Sequence, residues 1–448
     1  MITPAFVDAH VHATATGLLV DGLDLAACPS PTALLDAVAT RARARPGALI
    51  WGHGWQDLAW TVPERAALDR AAGGCPVYLS RIDVHSALVS SALLARAPAA
   101  VDAAGWSDGP LSADAHHHAR RAALAAVDPA TRSAAQDAFL RAAAAVGIGV
   151  VHECAGPDIS SVDDLAALVA RSRADPRAPR VVPYWGQAVA TAAEARELLA
   201  ATEAHGLAGD LFVDGSLGSR TAALRLPYAD APDSHGHPYL DAEQIGAHVA
   251  ACTDAGVQAG FHVIGDAAAD ALVDGLRRAA ARTSPAAVRA RAHRVEHLEM
   301  VDAAQLAALV ELGVVASVQP VFDAWWGGPS GMYVDRLGAD RARVMNPFAA
   351  LRAAGVTLAF GSDAPVTPLG PWPAVHAAVA HRTPESGVPQ EVALAAHTTG
   401  GHRAAGDRSL LAGRLVPGAP ASYAVWEPGD TPRCLRTVQD GRVLYDTL

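Results

Sequence analysis

Eight short apolar runs recur along the chain, each closing on polar or glycine-containing residues: FVDAHVH (6–12), GVVHECAG (149–156), RVVPYWGQ (180–187), DLFVDGSLGS (210–219), VQAGFHVIGD (257–266), HRVEHLEM (293–300), VVASVQP (314–320) and TLAFGSDAP (357–365). Helical stretches such as AEARELLAATEAHG (193–206) and DAAADALVDGLRRAAAR (266–282) separate them. Strands alternating with helices imply βα units, a parallel sheet and right-handed crossovers. Eight such units close into a (β/α)8 TIM-type barrel, with the chemistry at the carboxyl ends of the strands. Residues 20–147 are too long for one βα connection and read as an insertion after the first strand. Alternating apolar residues in 415–428 and 436–448, with a turn at Asp440-Gly441, predict a small terminal β-layer. The expected division is a barrel over 1–408 and a β-layer over 409–448.

Composition excludes several functions. Of 448 residues 51% are hydrophobic and 18% charged, enough apolar material for a large folded core. The net charge of −11 comes from scattered acidic residues, which argues against nucleic acid and anionic membrane as partners and for a small molecule. No run approaches the roughly 18 apolar residues of a membrane span, and no secretory leader pattern is present. Five cysteines without a CxxC pair oppose a disulfide framework and suit a reducing cytoplasm. All 35 basic residues are arginine.

His10 and His12 lie two apart on a strand, so both rings point to one face. His262, His297 and Asp363 fall at the ends of three further predicted strands. Imidazoles with one carboxylate suit Zn²⁺, Fe²⁺, Mn²⁺ or Ni²⁺ in an open site. Any of these histidines alone reads more readily as a hydrogen-bonded core or surface residue than as a ligand; their joint position at one end of one barrel points to a metal.

The motifs FVDAHVH, HVIGD, RVEHLEM, FGSDAP and DGSLGSRTAAL (214–224), with WGHGW (51–55) and HSALVSSALL (85–94) in the insertion, resemble the amidohydrolase superfamily. Within it they resemble the YtcJ-like, or amidohydrolase-3, branch that includes N-substituted formamide deformylase. The resemblance implies metal-dependent hydrolysis of a C–N bond, with His10, His12, His262 and His297 as ligands. It implies Asp363 as ligand, general base and proton shuttle. A divalent metal brings the pKa of bound water to about 7 and polarises a carbonyl. The branch pattern carries a lysine, carboxylated to bridge two metals, four residues before the Asp of DGSLGSR. Here that position is Asp210, and no lysine exists to replace it. Asp210 is shorter, so one ion, most simply Zn²⁺, or two with a weak second ion is expected. Glu153 reads as a replacement ligand or as a hydrogen-bonded supporting carboxylate, and Cys154 as a ligand or a buried small residue.

For substrate contact the candidates are Arg220, with Ser216 and Ser219 in the same glycine-containing loop, Trp325 and Trp326 after the seventh strand, and His85 from the insertion. The run His116–His118 reads as a solvated helix surface, and His235 and His237 as loop-shaping. Because the chain starts close to its first strand, the carboxyl-terminal segment is expected to form the β-layer alone, with an apolar face that suggests a homodimer. The resulting expectation is a metal-dependent hydrolase of an amide, formamide or carbamoyl-like bond. The alternatives are deamination of an amino-heterocycle and a non-catalytic binding protein.

Overall fold

The computed structural model describes residues 1–57 and 60–448. The chain divides into two compact units, Met1–Ala13 with Phe139–Gly156 and Ser161–Leu448, and Thr14–Ala138 with Pro157–Ser160.

In the first unit the strands Phe6–Val11, Ile148–Ala155 and Arg180–Trp185 form one parallel sheet. The strands Gly260–Val263, Arg294–His297, Val315–Val318 and Thr357–Phe360 form a second, in chain order. Isolated parallel bridges join Val11 to Ala364, Tyr184 to Gly206, Leu207 to Ala259 and Phe212 to His262. This is an α/β fold of the TIM-barrel type. Seven of the eight predicted runs become strands. The fourth, 210–219, pairs only through the bridge at Phe212, a correction with a local cause. Asp214 accepts the backbone N–H groups of Ala223, Ile264 and Gly265 at 2.8, 3.0 and 2.8 Å, so a side chain satisfies amides where a ladder was expected.

Helices between the strands follow their sequence signals. Ala242–Ala255 starts at a capping box of Asp241 with Gln244 and stops at Gly256, whose φ of 84° is left-handed, where glycine carries no Cβ penalty. Asp266–Arg282 buries Ala268, Ala269, Leu272, Val273, Leu276 and Ala279, the stripe of an amphipathic helix. The core is one large cluster running from Phe6 and Val11 through Phe261, Val263, Val295 and Phe360 to Trp426.

The terminal sheet is antiparallel, in the order Ile2–Pro4, Tyr423–Glu427, Arg433–Gln439 and Arg442–Asp446. Ile2–Pro4 forms one edge by pairing with Tyr423–Val425, so the carboxyl-terminal segment does not build this layer alone. Asp440 and Gly441 both have positive φ, 51° and 79°, as a tight two-residue hairpin requires.

The second unit holds a five-stranded sheet of Leu23–Asp24, Ile50–Trp55, Val77–Arg81, Ser86–Val89 and Leu111–Ser112. The expectation of a solvated His116–His118 is corrected here. His116 and His117 are buried in the helix Ala113–Ala125, and His116 Nε2 lies 2.8 Å from the Tyr78 hydroxyl. A polar triplet on a helix still places two rings inward when its neighbours Ala115, Ala119 and Ala123 form the buried stripe.

Candidate metal centre

His10 sits near the end of the first strand and His12 just past it, held by the backbone N–H of His12 donating to Ala364 O at 2.9 Å. His262 lies within its strand and His297 ends another. The backbone N–H of Asp363 donates to His10 O at 2.8 Å, which docks the last turn against the first strand. Asp8 reinforces that junction by accepting from Ser362 N at 2.8 Å. The imidazoles crowd together, His262 to His297 at 4.3 Å and His10 to His297 at 5.0 Å between ring centres.

Asp210 lies among the four histidines. Its Oδ1 is 3.4 Å from His10 Nε2, 3.4 Å from His262 Nδ1 and 3.7 Å from His297 Nε2, and its Oδ2 is 3.2 Å from His12 Nε2. The short side chain therefore reaches every imidazole of the set. Asp363 Oδ1 lies 3.1 Å from His12 Nε2 and 3.5 Å from His10 Nε2. All six side chains are buried. Burial pushes the Asp210 carboxyl up, but the imidazoles of His10, His12 and His262 outweigh it and hold it well below the usual carboxylate range. Burial likewise opposes charge on His12, yet Asp210 and Asp363 raise it to about 9.

The donor set fits a divalent cation. His10 Nε2, His297 Nε2 and Asp363 Oδ1 are buried without a hydrogen-bond partner among the described residues, a costly arrangement unless a cation takes them. His10, His12 and Asp363 offer ligand atoms within 4.8 Å of one another, as do His10, Asp210 and His297. The far nitrogens are occupied: His10 Nδ1 by Glu296 Oε2 at 2.9 Å, His297 Nδ1 by Gln319 Oε1 at 2.8 Å, and His262 Nε2 by Gly215 O at 3.2 Å. Each acceptor leaves the proton on the far nitrogen and a lone pair on the inner one.

Two of these residues hold left-handed backbone, His297 with φ 70° and Asp363 with φ 54°. Such conformations are uncommon outside glycine and concentrate at functional sites.

Among the other expected residues, Glu153 accepts the Ala13 N–H at 2.8 Å, and burial raises its carboxyl to about 7. Cys154 lies 3.5 Å from His10 Nδ1, on the side of that ring facing Glu296. Arg220 is paired with Asp230 at 2.7 Å, and Arg336 shares the same carboxylate. Trp326 is buried and Trp325 exposed. Trp326 packs on Phe322, whose ring stacks on His297 at 5.9 Å. His85 belongs to the second unit, buried in the segment after Val77–Arg81. Reading by residue type passed over Glu296, Arg294, Gln319 and Asp8, although Glu296 and Arg294 stand inside the quoted RVEH motif.

A buried His/Asp cluster at the strand ends of a TIM-type fold defines a site of the metal-dependent hydrolase kind. The family model described as the amidohydrolase family matches residues 1–445, and the chain belongs to that family. It is an enzyme, a hydrolase acting on carbon–nitrogen bonds. It is 26% identical over 404 residues to a Bacillus subtilis (strain 168) protein named as an amidohydrolase, YtcJ, covering 85% of this chain and 73% of that one. It is 27% identical over 463 residues to LONG AFTER FAR-RED 3 of Arabidopsis thaliana, covering 95% and 77%. The solved structure of an uncharacterised metal-dependent hydrolase from Pyrococcus furiosus superposes with a TM-score of 0.70 at 25% identity, covering 94% of this chain and 86% of that one. Among the described residues no helix is long and apolar enough to cross a membrane.

Proposed function

We propose that this chain hydrolyses an amide, formamide or carbamoyl-like bond of a small molecule, with Asp363 as general base. The observation that carries this reading is the convergence of His10, His12, His262, His297, Asp210 and Asp363 on one buried point. These residues would hold one Zn²⁺, or two with the second bound more weakly. Bound there, the metal would lower the pKa of water and polarise the substrate carbonyl. Asp363 takes a proton from the attacking water as oxygen bonds to the carbonyl carbon. It returns that proton to the nitrogen as the C–N bond breaks, so acid and amine leave. Burial of the cluster excludes bulk water and keeps the charges strong.

Arg220, Trp325 and Trp326 are proposed substrate contacts, with Phe322 joining Trp326 to the His297 ring. We read the two parallel sheets and their bridges as one closed eight-stranded barrel, interrupted after its first strand by the segment near 20–147. Five free cysteines support a reducing, cytoplasmic setting. Exposed Ile2 and Val443 on the edge strands of the terminal sheet support pairing of two copies.

The test is elemental analysis of protein purified without added metal, then after reconstitution, alongside assays on panels of N-substituted amides and formamides. Zinc uptake with acid and amine release supports the reading. Ammonia released from ring amines alone would move the reaction to deamination. Failure to bind any divalent ion after reconstitution would remove the proposal.

A further inference from the structure

Beneath the four histidines lies a charged group in a place where barrels of this type are ordinarily filled by branched apolar side chains. Arg294 and Glu296 are both wholly buried, at 0% exposure. They sit two apart on one strand, and the guanidinium grips the carboxylate twice, Nε to Oε1 at 2.5 Å and Nη2 to Oε2 at 2.8 Å. The same Oε2 accepts the Nδ1 proton of His10 at 2.9 Å. Arg294 also donates to Ala9 O at 2.6 Å and to Ser317 Oγ at 3.1 Å, and it approaches His152 Nδ1 at 3.1 Å while covering the Tyr184 ring at 4.5 Å. One arginine thus holds the backbone just before His10 directly and the His10 ring through Glu296.

Stability does not explain such a pair. Desolvating two charges costs about what their attraction returns, and buried ion pairs are often replaced by apolar residues without loss. What the pair does supply is direction. A carboxylate fixed by a bidentate arginine has one oxygen in one place, and as an acceptor it admits only the Nδ1–H form of His10. Nε2, 3.4 Å from Asp210 Oδ1 and 3.5 Å from Asp363 Oδ1, is left with its lone pair toward the cluster.

We infer that Arg294 and Glu296 are positioning residues for metal binding, locking His10 in the Nδ1–H form so that Nε2 faces the cation. The inference rests on the proposed metal site, and its test separates the two. Zinc-free wild type, Glu296→Gln and Arg294→Met/Glu296→Gln are titrated with Zn²⁺ against a chromophoric chelator, and the thermal midpoint of each zinc-free protein is recorded. The double variant removes both charges together, which keeps it foldable should the single variant fail, and the Gln amide can turn either its oxygen or its NH2 to His10, so the Nδ1–H form is no longer enforced. Expected are zinc affinities 10- to 100-fold weaker, with the midpoint of the double variant close to that of wild type. A folded variant that binds zinc as tightly as wild type overturns the inference and leaves the metal site standing. Should neither variant fold, ¹⁵N-histidine NMR of the zinc-loaded wild type decides: a proton on His10 Nδ1 supports the inference, and a His10 Nδ1 without a proton overturns it. Wild type that takes up no zinc would remove the metal reading and this inference with it.

Discussion

In the proposed reaction Asp363 and the histidines carry different tasks, and substitution separates them. His262→Ala removes a nitrogen whose only substitute would be water, so metal content and turnover should fall together in elemental analysis and activity assays. Asp363→Asn keeps an oxygen ligand but has lost its basicity; turnover should drop about 10²- to 10⁴-fold while most metal stays bound. Full turnover in Asp363→Asn would refute the general-base assignment. Asp210→Ala should lower metal content, since its two oxygens face His12 on one side and His10, His262 and His297 on the other. The four histidines and Asp363 were legible because residue type and strand-end position are both sequence properties. The centrality of Asp210 was not, because side-chain length was weighed without knowing how closely the backbone at 210 approaches the His10 and His262 strands.

At the level of elements, the segment 210–224 behaves as a stapled loop. Asp214→Ala would leave three backbone N–H groups without their carboxylate, each costing about 1–3 kcal/mol if unsatisfied. Urea unfolding should show a clearly lowered midpoint. Gly265, which opens the helix Asp266–Arg282, leaves no room at the same junction: a Cβ there would meet Ala223 O at 1.9 Å. Gly265→Ala should therefore lower the thermal midpoint and weaken zinc binding, as the loop bearing Gly215, the partner of His262, is pushed aside. An unchanged midpoint would show that the loop yields freely. Strand periodicity cannot reveal a staple of this kind, because a run of β-branched residues reads alike whether its amides pair with a neighbouring strand or with an aspartate.

Across the rest of the fold, two buried histidines outside the cluster, His248 and His293, are held neutral by geometry as well as by burial. Val189 N–H donates to His248 Nδ1 at 3.2 Å, and His248 Nε2–H donates to Leu207 O at 3.0 Å. Ala259 N–H donates to His293 Nδ1 at 2.9 Å. Burial pushes His248 down to about 4 and His293 to about 3. A base depressed on folding gives stability that is present above its unfolded value near 6.5 and is lost as pH falls through its folded value. Buried acids run the other way. Glu299, raised by burial to about 7, gives stability below its ordinary value of 4.5 that is lost as pH rises through 7. The pH dependence of the whole protein therefore mixes opposing contributions, and a difference between variants isolates one. The stability gap between wild type and His248→Gln, measured by denaturant unfolding, should be largest near pH 7 and narrow steadily toward pH 4; a gap independent of pH would mean that His248 does not titrate with folding.

By itself, the sequence determined the βα order, the strand-end positions of His10, His12, His262, His297 and Asp363, and the Asp440-Gly441 turn, because periodicity, spacing and turn chemistry are local. Only the tertiary structure decided that Ile2–Pro4 completes the terminal sheet, that His116 and His117 turn inward, that Asp210 meets all four histidines, and that Arg294 and Glu296 stand behind His10. Those outcomes depend on which distant segments come within about 3 Å of each other, and that is set by packing across the whole fold.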